Sequence, residues 1–269
     1  HGAVIAHAGT ENTRVFREVK QLGEELEKLS NVIPGTVNEA EVGVIFDWDN
    51  YWALEYTSGP SISLKYVDQI HRYYRYFYDH NMGVTYMSGI VGESDNVYLG
   101  GYPGPLKEMA GIWVEEIDAL APEQYNIVTF KDGSQSKCKI VCDLMHLEGA
   151  EALGEYAEDF YAGMPAVTRH DYGKGKLYYI GSCMEVVGTD KILTMAAEDA
   201  RVNPVAENGN GLEIVKRNGE EKSFYFVMNF KDEDLKIPEE FAGKMDLLSG
   251  NAVEKGEMLP KFGVKILEE

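Results

Sequence analysis

The segment at residues 41–47, EVGVIFD, constrains the fold most, because it is apolar almost from end to end. A strand with one face in water alternates apolar and polar residues; a continuous run belongs where both faces are covered. A helical pattern follows at residues 64–80, with Val67, Ile70, Tyr74 and Phe77 on one stripe, and then a short strand, GVTYMSG. Strand, helix and strand in that order predict a parallel, doubly wound sheet of the α/β class.

The rest of the chain divides by texture. Residues 13–29 read as a helix: Thr10, Asn12 and Thr13 offer capping oxygens, and Val15, Val19, Leu22, Leu26 and Leu29 recur at three and four. After Gly111, IWVEEID, YNIVTF and CKIVCDLMHL read as strands, with KDGSQSK as a turn. A short helix is expected near residues 151–156, strands at AVTRHDY and GKLYYIGS, and a helix over 189–200. Residues 203–269 change again: LEIVKRN, SFYFVMNF, KMDLLSG and VKILEE alternate with polar turns. That pattern predicts a small antiparallel β-domain of about 65 residues, near the lower limit for independent folding.

Composition narrows the partners. Forty-five acidic against 25 basic residues give a formal charge of −20, a field that repels phosphate backbones and anionic membranes. Nucleic acid and membrane are therefore excluded as expected partners, and a neutral substrate such as a sugar is compatible. No stretch approaches the ~20 apolar residues of a membrane span, and no signal peptide is visible. Three cysteines, Cys138, Cys142 and Cys183, are too few for a disulfide framework. Cys138 and Cys142 share a face of one expected strand; buried reduced thiols are the first reading and a redox or metal pair the second.

No catalytic signature emerges. FDWDNYWALE gathers Asp47, Asp49 and Glu55 with Trp48 and Trp52 near the end of a strand, the usual ligand edge of an open α/β sheet. Two readings stay open there. The tryptophans stack on a sugar, or they are interface anchors while Asp47 or Asn50 caps the next turn. GGYPGP (residues 100–105) lacks both the GK[ST] of a phosphate loop and dinucleotide spacing, so it reads as a loop fixed by turns. YGKGK (172–176) reads as a β-turn. The six histidines form no HExxH, no GxSxG elbow occurs, and Cys142 with His146 lies in a strand context. No metal or cofactor is expected.

Longer runs carry more. HGAVIAHAG, RVFREVKQLGEEL, FDWDNYWALE, SGIVGESDNVYLGGYPGPLKEMAGIWVEE, EDFYAGMPAVTRHDYGKGKLYYIG and the closing FGVKILEE resemble, in this order, glycoside hydrolase family 42, the bacterial β-galactosidases. The resemblance covers essentially the whole chain. It implies a flavodoxin-like (amidotransferase-like) doubly wound domain that forms a trimer, followed by a small antiparallel β-domain. Residues 1–9 would be the tail end of a catalytic barrel, 10–202 the trimerisation domain and 203–269 the C-terminal domain. The family's reaction is retaining hydrolysis of terminal β-galactosides by two glutamates ~5–5.5 Å apart. Both belong to the barrel, so this chain alone is expected to be inactive, as a scaffold partnered by its own barrel and by further subunits in the cytoplasm.

One sugar contact is implied inside the chain. The family's last barrel strand resembles GG-x-EK-x-HG, and HGAVIAH begins at that histidine, which makes His1 the carried-over substrate contact. The chain also departs from the family, because DHNMGVTYMSG joins two segments that are normally far apart. The join, near residues 81–84, is either a deletion or an omission from the numbering. A doubly wound sheet short of roughly 45 residues would bare a wide apolar face, which stable domains avoid. The alternative from another class is a stand-alone flavodoxin-like or amidotransferase-like binding module without glycosidase activity.

Overall fold

The computed structural model describes residues 4–5, 9–56, 59–88 and 103–269. In chain order its elements are α1 (Arg14–Leu29), β1 (Val37–Asn38), β2 (Val42–Phe46), α2 (Trp48–Tyr56), α3 (Tyr66–Asp79), β3 (Val84–Ser88), α4 (Lys107–Ala110), β4 (Ile112–Ala119), β5 (Asn126–Phe130) and β6 (Gln135–Leu147). Then follow β7 (Glu151–Tyr156), β8 (Pro165–Tyr172), β9 (Gly175–Ile180), β10 (Ser182–Met184), α5 (Val186–Ala200), β11 (Glu213–Asn218), β12 (Ser223–Met228), β13 (Leu235–Lys236), β14 (Met258–Leu259) and β15 (Val264–Glu268). They fall into two compact units, one of residues 42–77 and 84–203, the other of residues 1–41, 78–83 and 204–269.

The larger unit contains the expected strand–helix–strand crossover: β2 and β3 pair in parallel, Val42 against Val84 through Phe46 against Ser88. Among the described residues this is the only parallel pair. The sheet that dominates has seven strands in the order β10-β6-β5-β7-β8-β9, with β4 also on β6, and every pairing in it is antiparallel. The α/β class therefore stands, but the expectation that β2 is covered on both faces does not. Val44 is buried and Ile45 is exposed.

The core of this unit is Val128, Phe130, Leu144, Leu153, Tyr156 and Val167, closed by Ile192 of α5. A second cluster of Ile112, Val114 and Met145 sits under α4. Residues 151–156, expected to be helical, form β7 instead. Glu, Ala and Leu favour helix in isolation, but pairing with β5 and β8 overrides that preference. Gly154 belongs to this packing: a Cβ there would stand 2.9 Å from Val128 Cγ1.

β6 pairs with different neighbours along its length. Residues 135–138 pair with β5 and residues 141–147 with β4. The change of partner occurs at Ile140, whose φ of 74° is exceptional for a β-branched residue.

In the smaller unit β1-β11-β12-β15 form a four-stranded sheet, and β13-β14 a short ribbon. Leu212, Ile214, Val227, Ile237, Phe241, Leu259 and Leu267 make its core. Thr13 caps α1 as its position predicts, accepting from Phe16 N at 3.2 Å. KMDLLSG, expected as a strand, is instead a turn: the Asp246 carboxylate accepts from Leu248 N at 3.2 Å and Ile266 N at 3.2 Å, and from the Ser249 hydroxyl at 2.7 Å. Asn81 takes a left-handed φ of 54°, accepts from Ile214 N through Oδ1 at 2.8 Å and from Val205 N through its carbonyl at 2.8 Å. Asn229 is buried and saturated: Nδ2 donates to the carbonyls of Glu233, Leu259 and Pro260, and Oδ1 accepts from Lys231 N.

Two predictions arise here. Burial pushes the Asp143 carboxyl up to about 6, opposed by a hydrogen bond donated by the Tyr179 hydroxyl at 2.7 Å. A raised carboxyl binds its proton more readily folded than unfolded, so its contribution is full below about pH 4 and lost as pH rises through the folded value. Asp143→Asn should flatten that slope and raise stability at pH 8 by on the order of 3 kcal/mol. Urea unfolding at pH 4 and pH 8 measures it, and an unchanged slope would reject the assignment. In the smaller unit, Asn229→Ala strands three carbonyls and one amide, and should cost at least about 2 kcal/mol in the same assay.

Candidate functional site

The aromatic run after β2 forms one surface. Asp47 closes β2 and caps α2: its Oδ1 accepts from Asn50 N at 2.8 Å, while its own N–H donates to the Tyr66 hydroxyl at 2.8 Å. Glu55, in the last turn of α2, accepts from Tyr66 N at 3.3 Å and pairs with Lys65 at 3.2 Å. Of the three acids in this segment, Asp47 and Glu55 are thus committed to local structure, and they do not form a catalytic pair.

The tryptophans are placed differently from the acids. Trp48 meets Phe46 edge-on at 5.0 Å between ring centroids, and Trp52 lies 6.0 Å from Trp48. Tyr51 packs against Trp48 at 5.9 Å and Tyr66 at 6.3 Å; the neighbouring Tyr56 hydroxyl holds Tyr51 above the ordinary phenol value. Trp48 remains 58% exposed and Trp52 51% exposed. The structure therefore brings the two predicted residues together on one bare face. His1, the predicted sugar contact, lies outside the described residues.

Beside Trp48 an apolar groove of about 430 Å³ opens between α3 and the β2–β3 pair, lined by Phe46, Val67, Ile70, His71, Tyr86 and Met87. The sequence pattern assigns Val67 and Ile70 to a core stripe. Farther along that stripe the packing is real, since Tyr74 stacks on Tyr86 at 4.7 Å and Phe77 is buried. Periodicity shows which face of a helix is apolar, but not how much of that face finds cover. The signal for the groove is Tyr86 and Met87, consecutive apolar residues in a strand whose one partner among the described residues is β2.

A second cavity, about 570 Å³, lies over β5, β7 and β8 beside α5, with Phe130, Leu153 and Met195 as its floor. Its cations are neutralised: Lys131 pairs with Glu151 at 2.5 Å, Arg169 with Glu151 at 2.8 Å, and Lys191 with Asp132. No group of three or more metal-ligating side chains occurs among the described residues. Cys142 and His146 do not meet as a nucleophile and base: Cys142 is buried, while His146 stacks on Trp113 at 4.3 Å and bonds to Glu115 at 2.6 Å. What this arrangement of described residues supports is apolar contact.

Comparison with known families bears on the same segments. The profile of the β-galactosidase trimerisation domain matches residues 40–84 and 82–203, and that of the β-galactosidase C-terminal domain matches residues 211–269. The chain belongs to glycoside hydrolase family 42. Its family relatives include β-galactosidase LacZ of Lactobacillus acidophilus, 39% identical over 95% of this chain and 45% of that protein. The crystal structure of a β-galactosidase from Bacillus circulans sp. alkalophilus superposes with a TM-score of 0.92 at 36% identity, over 100% of this chain and 47% of that one. The chain thus spans less than half the length of these family members.

The family alignments are also longer than the chain. Against bgaB of Geobacillus kaustophilus, 33% identical over 100% of this chain and 46% of that protein, the alignment runs to 315 positions. Setting 269 residues against 315 positions leaves 46 that the relative alone fills. The trimerisation profile breaks at residues 82–84, between α3 and β3, the two elements that flank the groove.

The cap can be tested directly. Asp47→Ala should destabilise the chain by about 1 kcal/mol, whereas Asp47→Asn, which keeps an acceptor oxygen, should cost only a few tenths. Equal losses in urea unfolding would show that Asp47 is not capping α2.

Proposed function

We propose that this chain is the non-catalytic part of a β-galactosidase that hydrolyses terminal β-D-galactosides with retention, supplying trimer assembly and walls of the sugar pockets. The observation that carries this reading is the order and extent of the two profile matches, residues 40–203 and then 211–269. Both catalytic glutamates then lie upstream on the barrel, in the close spacing of a retaining enzyme. His1 is the sugar contact that this reading carries over to the chain. Its substrate is a neutral galactoside, in keeping with a charge of −20 that disfavours nucleic acid and anionic membrane as partners. The compartment is the cytoplasm, a reading supported by three free cysteines.

Assembly falls to the face around Trp48 and Trp52. Large half-exposed aromatics on a rigid helix are the residues that anchor subunit contacts. The apolar stripe of α1, with Leu22 and Leu26 exposed, is the corresponding surface for the chain's own barrel. The β2–α3–β3 crossover is the part of a flavodoxin-like doubly wound sheet that this reading assigns to the chain.

Light scattering on the purified chain tests the reading. A trimer mass is expected, and Trp48→Ala with Trp52→Ala should shift it to the monomer. A mass unchanged by the double substitution would remove these residues from the interface. The chain alone should show no turnover of a chromogenic β-galactoside, and turnover would overturn the scaffold reading.

A further inference from the structure

We propose that Cys138 and Cys142 form a peroxide-sensitive dithiol, a modification site that closes to an intrachain disulfide. Two residues four apart on a regular strand stand about 13 Å from each other. Here the two sulfurs are 3.9 Å apart. The irregularity at Ile140, with its positive φ, breaks the regular spacing of the strand between the two cysteines. The pairing records the same event: along β10, Ser182 faces Cys142 and the next residue, Cys183, faces Lys139, so two residues of β6 are looped out. A β-branched residue held in this region is locally strained, and such strain collects at functional positions.

The surroundings suit the pair. Both thiols are fully buried in the main core of the larger unit, against Tyr156 and Tyr161. The hydrogen bond between the sulfurs holds the Cys138 thiol below its ordinary value; the same contact, with burial, pushes Cys142 up. We take Cys138 as the attacking sulfur and Cys142 as the resolving one; the proposal itself rests on the approach of the two sulfurs. Closing the bond requires the sulfurs to approach from 3.9 Å to about 2.05 Å.

The oxidant is a small hydroperoxide. The Cys138 thiolate attacks one peroxide oxygen, the O–O bond breaks, and the departing hydroxide takes up the thiol proton to leave as water. The resulting sulfenic acid is attacked by the Cys142 sulfur. The S–S bond forms, the S–O bond breaks, and a second water leaves with the Cys142 proton. Two thiols and one hydrogen peroxide thus give one disulfide and two waters, each sulfur oxidised by one electron and the peroxide reduced by two.

The test is to treat the purified chain with hydrogen peroxide and count thiols in denaturant. They should fall from three to one, with the loss of two hydrogen atoms from the intact mass. Trypsin cuts after Lys139, so the peptides carrying Cys138 and Cys142 should remain joined until a reductant is added. Cys183→Ser should leave the joined peptides in place, and Cys142→Ser should abolish them. Oxygen adducts without joined peptides, a disulfide that includes Cys183, a cross-link between chains, or oxidation of Cys183 alone would each overturn the proposal. The peptide map of the unaltered chain decides the matter even if a substituted chain fails to fold.

Discussion

The larger unit depends on the bend in β6. A single strand that serves β5 with its first residues and β4 with its last must turn between them, and it does so at Ile140. The unfavourable φ persists because the residues on either side are locked into ladders. Cys138, Cys142, Leu144 and Met145 are all buried within a few positions of the bend. Straightening the strand would release the strain but take β4 or β5 out of register, since a shift by one residue moves every side chain to the opposite face. A locally costly conformation is thus held by the global sheet.

The smaller unit solves a different problem with polar groups. It has short strands and a modest core, and its irregular connections would leave backbone groups unsatisfied. Asn81, Asn229 and Asp246 take up those groups from within, each accepting from or donating to at least one distant segment. Lys265 stands 3.4 Å from Asp246 and 2.9 Å from Glu257, giving the Asp246 charge a partner. Burial works to raise Asp246, but these hydrogen bonds and the lysine outweigh it, and its carboxyl lies below the ordinary value.

Local signals in the sequence carried a long way. Thr13 as a cap, the stripe from Val15 to Leu26, the turn at Gly173 and the strands either side of it all follow from short-range chemistry, and the structure has them. What was not legible depended on distant partners. Glu151–Tyr156 has the composition of a helix and becomes a strand because β5 and β8 lie alongside. β2 has the composition of a doubly covered strand and is open on one side, because cover is a property of neighbours. In the candidate site, Trp48 and Trp52 were visible as large aromatics four apart, while the groove beside them needed the β2–β3 register to be seen. The contact of Cys138 with Cys142 spans the irregularity at Ile140, and no residue type announces that.

The smaller unit is assembled from three separate lengths of chain: residues 1–41, 78–83 and 204–269. Its middle length, holding Asn81, is the connection that leads out of α3 and on to β3. No single cut in the polypeptide therefore separates the two units. A protein shortened at residue 203 would keep Asn81 but lose Ile214 and Val205, the residues it binds. The connection between α3 and β3 would then lose the hydrogen bonds that Asn81 makes. For anyone dissecting this chain, the modules of its sequence are not the modules of its structure, and gene fragments drawn at profile boundaries would divide a folding unit rather than isolate one.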